Sequence, residues 1–377
     1  MLNNIILEIF IIFFGSAFFG SFLLFIKQPL ILGYIFFGMI SGPFGMKIIN
    51  NVVHLENISH FGIILLMFLL GLNLEPKKFW KIINETALIT LLSSLFFTGL
   101  FFVVAIIFKF PLFEAFIIGV ALLFSSTIIG IKLIPTSTLH HKHIGEVMIS
   151  ILLFQDILAI FTLLFLYGDM KNNIIAGTFI LLVKGILLVI GAYFVVKYII
   201  LKVMRKFDRS QEYLFLISLA WCLLLAEIAQ ILGLSYEIGA FIAGIMLAIS
   251  PISLYIAESL KPLREFFLII FFYSTGAELN LIKSKEIFLP SIVLAGIIIF
   301  IKPWVYKKLF LFKKESLAFS KEMGIRLGQS SEFALLISYG AFSNKIIGEN
   351  TFYLIQLTTI LTFVFSTYIT SKKYRVQ

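Results

Sequence analysis

Asp156 stands inside the apolar run Leu152-Leu153-Phe154-Gln155-Asp156-Ile157-Leu158, where nothing nearby in the sequence solvates a charge. An ionisable group at membrane depth is costly and is read first as functional. A carboxyl in a low-dielectric place favours its protonated form unless a cation sits beside it. One such group is therefore a place where a proton and a metal ion compete. The bland alternative is a neutral acid that serves helix packing.

Other polar residues fall at similar depth. Ser125, Ser126 and Thr127 lie about fifteen residues into their apolar segment, and Asp156 about thirteen into its own, roughly 20 Å from the inner end at 1.5 Å per residue. Small hydroxyl residues let helices pack closely. Their hydroxyls, with carbonyls freed by a broken helix, could also ligate a hard alkali cation. Glu332 is near the middle of a later segment. Arg326 precedes it by six residues, roughly 240° around an ideal helix, so the two would not face each other unless the helix is interrupted. Each could pair elsewhere or compensate a free helix end. Lys302, followed by Pro303, either snorkels to the inner interface or pairs with Asp156. Glu227 and Glu114 read as structural or interfacial carboxylates in the outer half. His140, His141 and His143 form a run in an inner loop, better suited to a solvated, pH-responsive loop than to a metal site.

The elements that must position these groups follow from composition. Of 377 residues, 60% are hydrophobic and 13% charged, with mean hydropathy +1.06. A soluble domain carries about 25% charged residues, so a soluble domain and a disordered chain are both excluded. Thirteen apolar segments stand out, at 4–26, 29–46, 58–74, 86–108, 112–134, 143–168, 174–201, 211–232, 235–250, 258–277, 286–308, 320–342 and 351–371. No strand-like alternation suggests a barrel. With the N-terminus outside, inner loops and tail carry twenty Lys and Arg and the outer loops six. This bias predicts N-out, C-in and an odd number of spans. The net charge of +10 is then mostly a topology signal rather than a nucleic-acid footprint.

An odd count permits two six-helix halves of opposite orientation joined by one helix, the inverted-repeat design of secondary transporters. The fifth member of each half carries a central polar cluster, Phe124-Ser125-Ser126-Thr127 and Gly328-Gln329-Ser330-Ser331-Glu332. Such corresponding interruptions point to a binding site. Cys222 is the single cysteine, so no intrachain disulfide forms. No Walker, GxGxxG, CxxC or HExxH motif occurs. Asp156 is the only Asp within a segment, which weighs against an intramembrane aspartyl protease. Neither an enzyme activity nor a cofactor is expected.

Several stretches together resemble the second monovalent cation:proton antiporter family. Leu65-Leu66-Met67-Phe68-Leu69-Leu70-Gly71-Leu72-Asn73-Leu74 is similar to its LxxFLxGLE helix. Ser125-Ser126-Thr127 and Leu153-Phe154-Gln155-Asp156-Ile157 resemble its SST and LLFQD elements. Gly239-Ala240-Phe241-Ile242-Ala243-Gly244 resembles GAFLAG, Phe271-Phe272-Tyr273-Ser274-Thr275-Gly276 resembles FFxxxG, and Gly328-Gln329-Ser330-Ser331-Glu332-Phe333-Ala334 resembles GQxxEFAF. The order is the family's, across nearly the whole chain, and the Kef-type members look most alike.

The resemblance implies an NhaA-like, all-α polytopic fold of about thirteen transmembrane helices, with two inverted repeats and crossing broken helices. It implies a single antiporter domain over 1–377, with core helices at about 86–168 and 286–371, a dimerisation scaffold at about 4–74 and 174–277, and a homodimer. It makes Asp156 the carboxyl that exchanges proton for Na⁺ or K⁺, with Gln155, Thr127, Ser126 and Ser125 supplying oxygens and Lys302, Glu332 and Arg326 as ion-pair or supporting groups. Gln155 replaces the first acid of the Asp-Asp pair of electrogenic members, which favours electroneutral exchange. Asn73 stands where the family often has Glu. The nucleotide-binding domain of Kef-type systems is expected to be absent, and a separate regulatory subunit is left open. The expected setting is the inner membrane. A channel-like potassium efflux pathway, or a non-transporting sensor of the same fold, are the alternatives.

Overall fold

The computed structural model describes residues 5–26, 28–49, 53–73, 76–126, 143–166, 174–207, 210–280 and 285–373, and among these every regular element is a helix. In chain order they are α1 (Ile5–Phe25), α2 (Leu30–Ser41), α3 (Val53–Asn73), α4 (Pro76–Ile107), α5 (Leu112–Leu123), α6 (His143–Leu166) and α7 (Ile174–Val195). A π-helical turn (Val196–Ile200) continues α7 into α8 (Leu201–Lys206). Then come α9 (Gln211–Ile231), α10 (Tyr236–Ala248), α11 (Ile252–Glu278), α12 (Lys285–Phe312), α13 (Leu317–Arg326), α14 (Glu332–Ser343) and α15 (Glu349–Lys373). Seven of the described helices are long and apolar enough to cross a membrane, and five shorter apolar ones accompany them. This is a multi-span membrane protein.

Local signals explain many boundaries. Ser210, Ser235, Ser316 and Ser331 cap the N-termini of α9, α10, α13 and α14, each hydroxyl accepting a first-turn N–H, which satisfies one of the orphan donors of a helix start. Pro29 and Pro111 stand just before α2 and α5, where a missing N–H costs nothing. Gly233, at φ +82°, ends α9 in the left-handed conformation that glycine adopts without strain.

The helices form two compact units. One contains Met1–Asn50, Lys81–Thr162 and Thr275–Gln377. In it α1 lies along α2, α12 lies along α13 and α15, and α5 packs on α14 and α15. Leu23, Leu32 and Phe363 make a small core where α1, α2 and α15 meet. The other unit contains Asn51–Trp80 and Leu163–Ser274. Its centre is the crossing of α3 and α10. A Cβ on Gly71 would strike the Phe241 carbonyl, and one on Gly244 the Phe68 carbonyl. Small residues let two membrane helices approach backbone to backbone, which accounts for Gly71 and Gly244, while Gly239 of the same motif lets α10 approach Leu225 and Ala226 of α9.

Within the first unit the end of one helix faces a break between two others. α5 stops at Leu123, where Phe124 turns extended (φ −68°, ψ 152°). Residues 327–331 separate α13 from α14. Pro303 of α12 sits against this break. A Cβ on Gly328 would lie 2.5 Å from its ring, and one on Gly324 would meet its carbonyl.

Candidate functional site

The end of α5 and the break between α13 and α14 are joined by side chains. A broken helix leaves carbonyls without partners at one end and N–H groups without partners at the other. Lys302 of α12 answers for the carbonyls. Its ammonium donates to the Phe124 carbonyl at 2.8 Å and to the Gln329 carbonyl at 2.8 Å, one at the end of α5 and one in the break. It also lies 5.7 Å from the centre of the Phe97 ring, a cation–π distance. The side chain is fully buried. Ser125 adds a second tie, its hydroxyl donating to the Leu327 carbonyl at 2.9 Å. Gln329 adds a third, donating to the Ser126 carbonyl at 3.4 Å.

Gln155 is committed on both ends of its amide. Its oxygen accepts the Ser125 backbone N–H at 2.9 Å, and its nitrogen donates to the Tyr306 hydroxyl at 2.8 Å. Tyr306 is one turn beyond Lys302 on the same face of α12, packed on Phe97 with ring centres 5.6 Å apart. Helix α15 holds the break from the other side. Thr362 accepts the Ser330 backbone N–H at 3.1 Å, Thr359 lies 3.3 Å from the Ser330 hydroxyl, and Ser366 donates to the Gln329 side-chain oxygen at 3.2 Å.

Asp156 differs from its neighbours. It is 1% exposed, and its Oδ2 has no hydrogen-bond partner among the described residues. Buried polar atoms are nearly always satisfied, so an orphan asks for a proton or a ligand. Glu332 is near enough to interact with it electrostatically. Glu332 begins α14, where the helix dipole favours an acid, and Arg326 ends α13, where it favours a base. Arg326 also holds Glu322, one turn earlier, with Nε and Nη2 each 2.8 Å from Oε1.

The structure thus brings together Ser125, Ser126, Gln155, Asp156, Lys302 and Glu332. Arg326 lies at the same break but is paired along its own helix. Thr127 lies outside the described residues, as do His140 and His141. Lys302 meets carbonyls rather than Asp156. His143 contacts Glu315 at 3.0 Å and stacks on Phe319. Glu114 accepts from the Thr351 hydroxyl, and Glu227 is exposed. Tyr306, Phe97 and the α15 hydroxyls belong to the site without standing out in the sequence. Two signals could have found them: the four-residue spacing of Lys302 and Tyr306, and the three- and four-residue spacing of Thr359, Thr362, Ser366 and Thr370 along one helical face.

A buried carboxyl whose Oδ2 has no partner among the described residues is chemically suited to a proton or a small cation. Several known proteins are similar to this chain. K(+) efflux antiporter 5 of Arabidopsis thaliana is 32% identical over 357 residues, covering 89% of this chain and 61% of its own length. The iron transporter MagA of Paramagnetospirillum magneticum is 23% identical over 343 residues, covering 90% of this chain and 79% of its own. The chain spans about three fifths of the Arabidopsis K(+) efflux antiporters it matches. In fold, the sodium proton antiporter MjNhaP1 of Methanocaldococcus jannaschii superposes with a TM-score of 0.74 at 18% identity, covering 98% of both chains. The sequence profile of the transmembrane sodium/hydrogen exchangers matches residues 9–372, and the chain belongs to that family.

Proposed function

We propose that the chain exchanges a monovalent cation, Na⁺ or K⁺, for a proton across the membrane, with Asp156 binding one or the other. The observation that carries this is the orphan Oδ2 of the buried Asp156. A single carboxyl cannot hold both ligands, so release of one is required for uptake of the other. Oxygens of Ser126 and Thr127 complete the cation's shell, which suits a hard, weakly held ion, and Gln155, held by Ser125 and Tyr306, positions the group beside them. Gln155 in place of a second acid makes the exchange electroneutral, one cation for one proton.

In this reading the helices of about 86–168 and 286–371 carry the site between the two sides in an elevator-like movement. Those of about 4–74 and 174–277 form the dimerisation scaffold of a homodimer. The basic loops orient the N-terminus outside and the C-terminus in the cytoplasm of an inner membrane. A pH-sensitive dye in everted vesicles tests the proposal on addition of Na⁺, K⁺ or Li⁺. Wild type collapses the pH gradient with at least one of these ions, and Asp156→Asn leaves it at background. Exchange by Asp156→Asn at the wild-type rate would overturn the mechanism. The same assay identifies the preferred ion.

A further inference from the structure

The rod formed by α7, the π turn and α8 is the least buried of the seven long apolar helices. Its outer face is apolar first and cationic last. Ile186, Leu187, Ile190 and Phe194 are exposed, followed by Lys197, Lys202, Arg205 and Lys206. No acid occurs between Ile174 and Lys206. Among the described residues, none of these four cations takes part in an ion pair.

The π turn changes which of them meet. In an α-helix residues five apart lie about 140° around the axis from each other. A π turn closes with i→i+5 bonds and stacks such residues, and here the Leu201 N–H reaches back to the Val196 carbonyl. Lys197 and Lys202 consequently share one ring. Their ammonium groups lie 5.5 and 5.8 Å from the centre of Tyr198. Lys197 is also 5.4 Å from the centre of Tyr193 and donates to its hydroxyl at 3.3 Å. Two ammonium groups each within about 6 Å of the centre of one exposed tyrosine concentrate positive charge there, and no carboxylate of the rod compensates them. An anion between them would. The apolar stretch leading up to the pair has the width of a helix face and the chemistry of an acyl-chain contact.

We propose that this end of the rod binds an anionic phospholipid, its phosphate held by Lys197 and Lys202 on the Tyr198–Tyr193 platform and its acyl chains lying along Phe194 and Ile190. Aromatic rings suit the boundary between headgroup and hydrocarbon, and basic residues there attract anionic headgroups. Arg205 and Lys206 extend the same charge toward water.

Delipidated protein in neutral detergent, titrated with phosphatidylglycerol or phosphatidylcholine and followed by native mass spectrometry and thermal melting, tests this. Wild type retains bound phosphatidylglycerol and melts higher with it than with phosphatidylcholine. At about fivefold per lysine, Lys197→Gln with Lys202→Gln weakens that binding by about 25-fold, while the paired arginine variant keeps it and Tyr198→Leu loses part of it. Cation exchange in phosphatidylcholine vesicles checks that the double glutamine variant is folded. Three results overturn the proposal: equal retention of phosphatidylglycerol by the double glutamine variant, the same stabilisation by inorganic phosphate alone, or loss of a dimer in that variant with no response to either lipid, which would make the face a subunit contact.

Discussion

Lys302 and Asp156 occupy one buried site without pairing. The ammonium is divided between the Phe124 and Gln329 carbonyls, while the Asp156 Oδ2 keeps no partner among the described residues. The positive charge ties the end of α5 to the α13–α14 break, and the carboxyl stays available to whatever enters. With its ammonium on backbone carbonyls, Lys302 is a tie between the two helix ends rather than a counter-charge bonded to the carboxyl.

Competition at one carboxyl has a definite sign with pH. As pH falls, the proton occupies Asp156 and excludes the cation. Below the carboxyl's own pKa, each unit of pH therefore raises the apparent KM for the cation by about tenfold, and above it KM levels off. Velocity at saturating cation stays nearly constant across the same range. Initial rates measured in proteoliposomes over several cation concentrations check this. A KM that ignores pH while the rate varies would place the proton on another group.

The division of labour between Lys302 and Asp156 is open to a double-mutant cycle. Lys302→Met leaves two buried carbonyls without a donor, at about 1–3 kcal/mol for each, so the melting point in detergent falls clearly. The same loss is expected in an Asp156→Asn background, with coupling below about 0.5 kcal/mol, because the two side chains share no bond. A coupling of several kcal/mol would mean that they pair in solution.

What could be read from the sequence divides along physical lines. Asp156 and the apolar segments were legible because burial of a charge and the length of an apolar run are local properties. The end of α5 at Phe124 and the break at Gln329 were legible as polar clusters, since small hydroxyl residues seldom fill the middle of an apolar helix by chance. The partners of Lys302 were not. They are backbone carbonyls 178 and 27 residues away, and every residue has a carbonyl, so side-chain identity carries no trace of them. Gln155 shows the same limit. Its residue type suggested an oxygen ligand, but its oxygen already accepts the Ser125 N–H, a role set by where α5 ends. The π turn at Val196–Ile200 left no signature, because its sequence, Val-Lys-Tyr-Ile-Ile, serves an α-helix equally well.

Tyr306 is expected to act through Gln155. Tyr306→Phe keeps the ring on Phe97 and removes the oxygen that accepts the Gln155 amide and also meets the Ser93 and Ser125 hydroxyls. The Gln155 amide loses its acceptor, at about 1–2 kcal/mol, the Ser93 and Ser125 contacts go with it, and Gln155 gains freedom beside Asp156. The apparent KM for the cation should rise severalfold, with the maximal rate changed less and the order of Na⁺, K⁺ and Li⁺ altered. Equal loss of KM and rate effects, with selectivity untouched, would show the hydroxyl to be irrelevant to the ion. Gln155→Glu in the same assay separates the two ends of the link, since a carboxylate keeps the bond from Ser125 but can no longer donate to Tyr306.

Thr362 tests whether α15 holds the α13–α14 break in shape. Its hydroxyl is the acceptor for the Ser330 backbone N–H, and it donates in turn to the Thr359 carbonyl within its own helix. Thr362→Val has nearly the same shape and neither bond, so the Ser330 N–H is buried unsatisfied at about 1–3 kcal/mol. Thr362→Ser restores the acceptor while losing only a methyl group. If the bond matters to transport, valine lowers the exchange rate and raises the cation KM, and serine recovers both. A role in packing alone gives the opposite order, with valine tolerated and serine, the smaller residue, the more damaging. Measuring both variants in the vesicle assay, with their melting points alongside, therefore distinguishes a positioned break from a well-filled one.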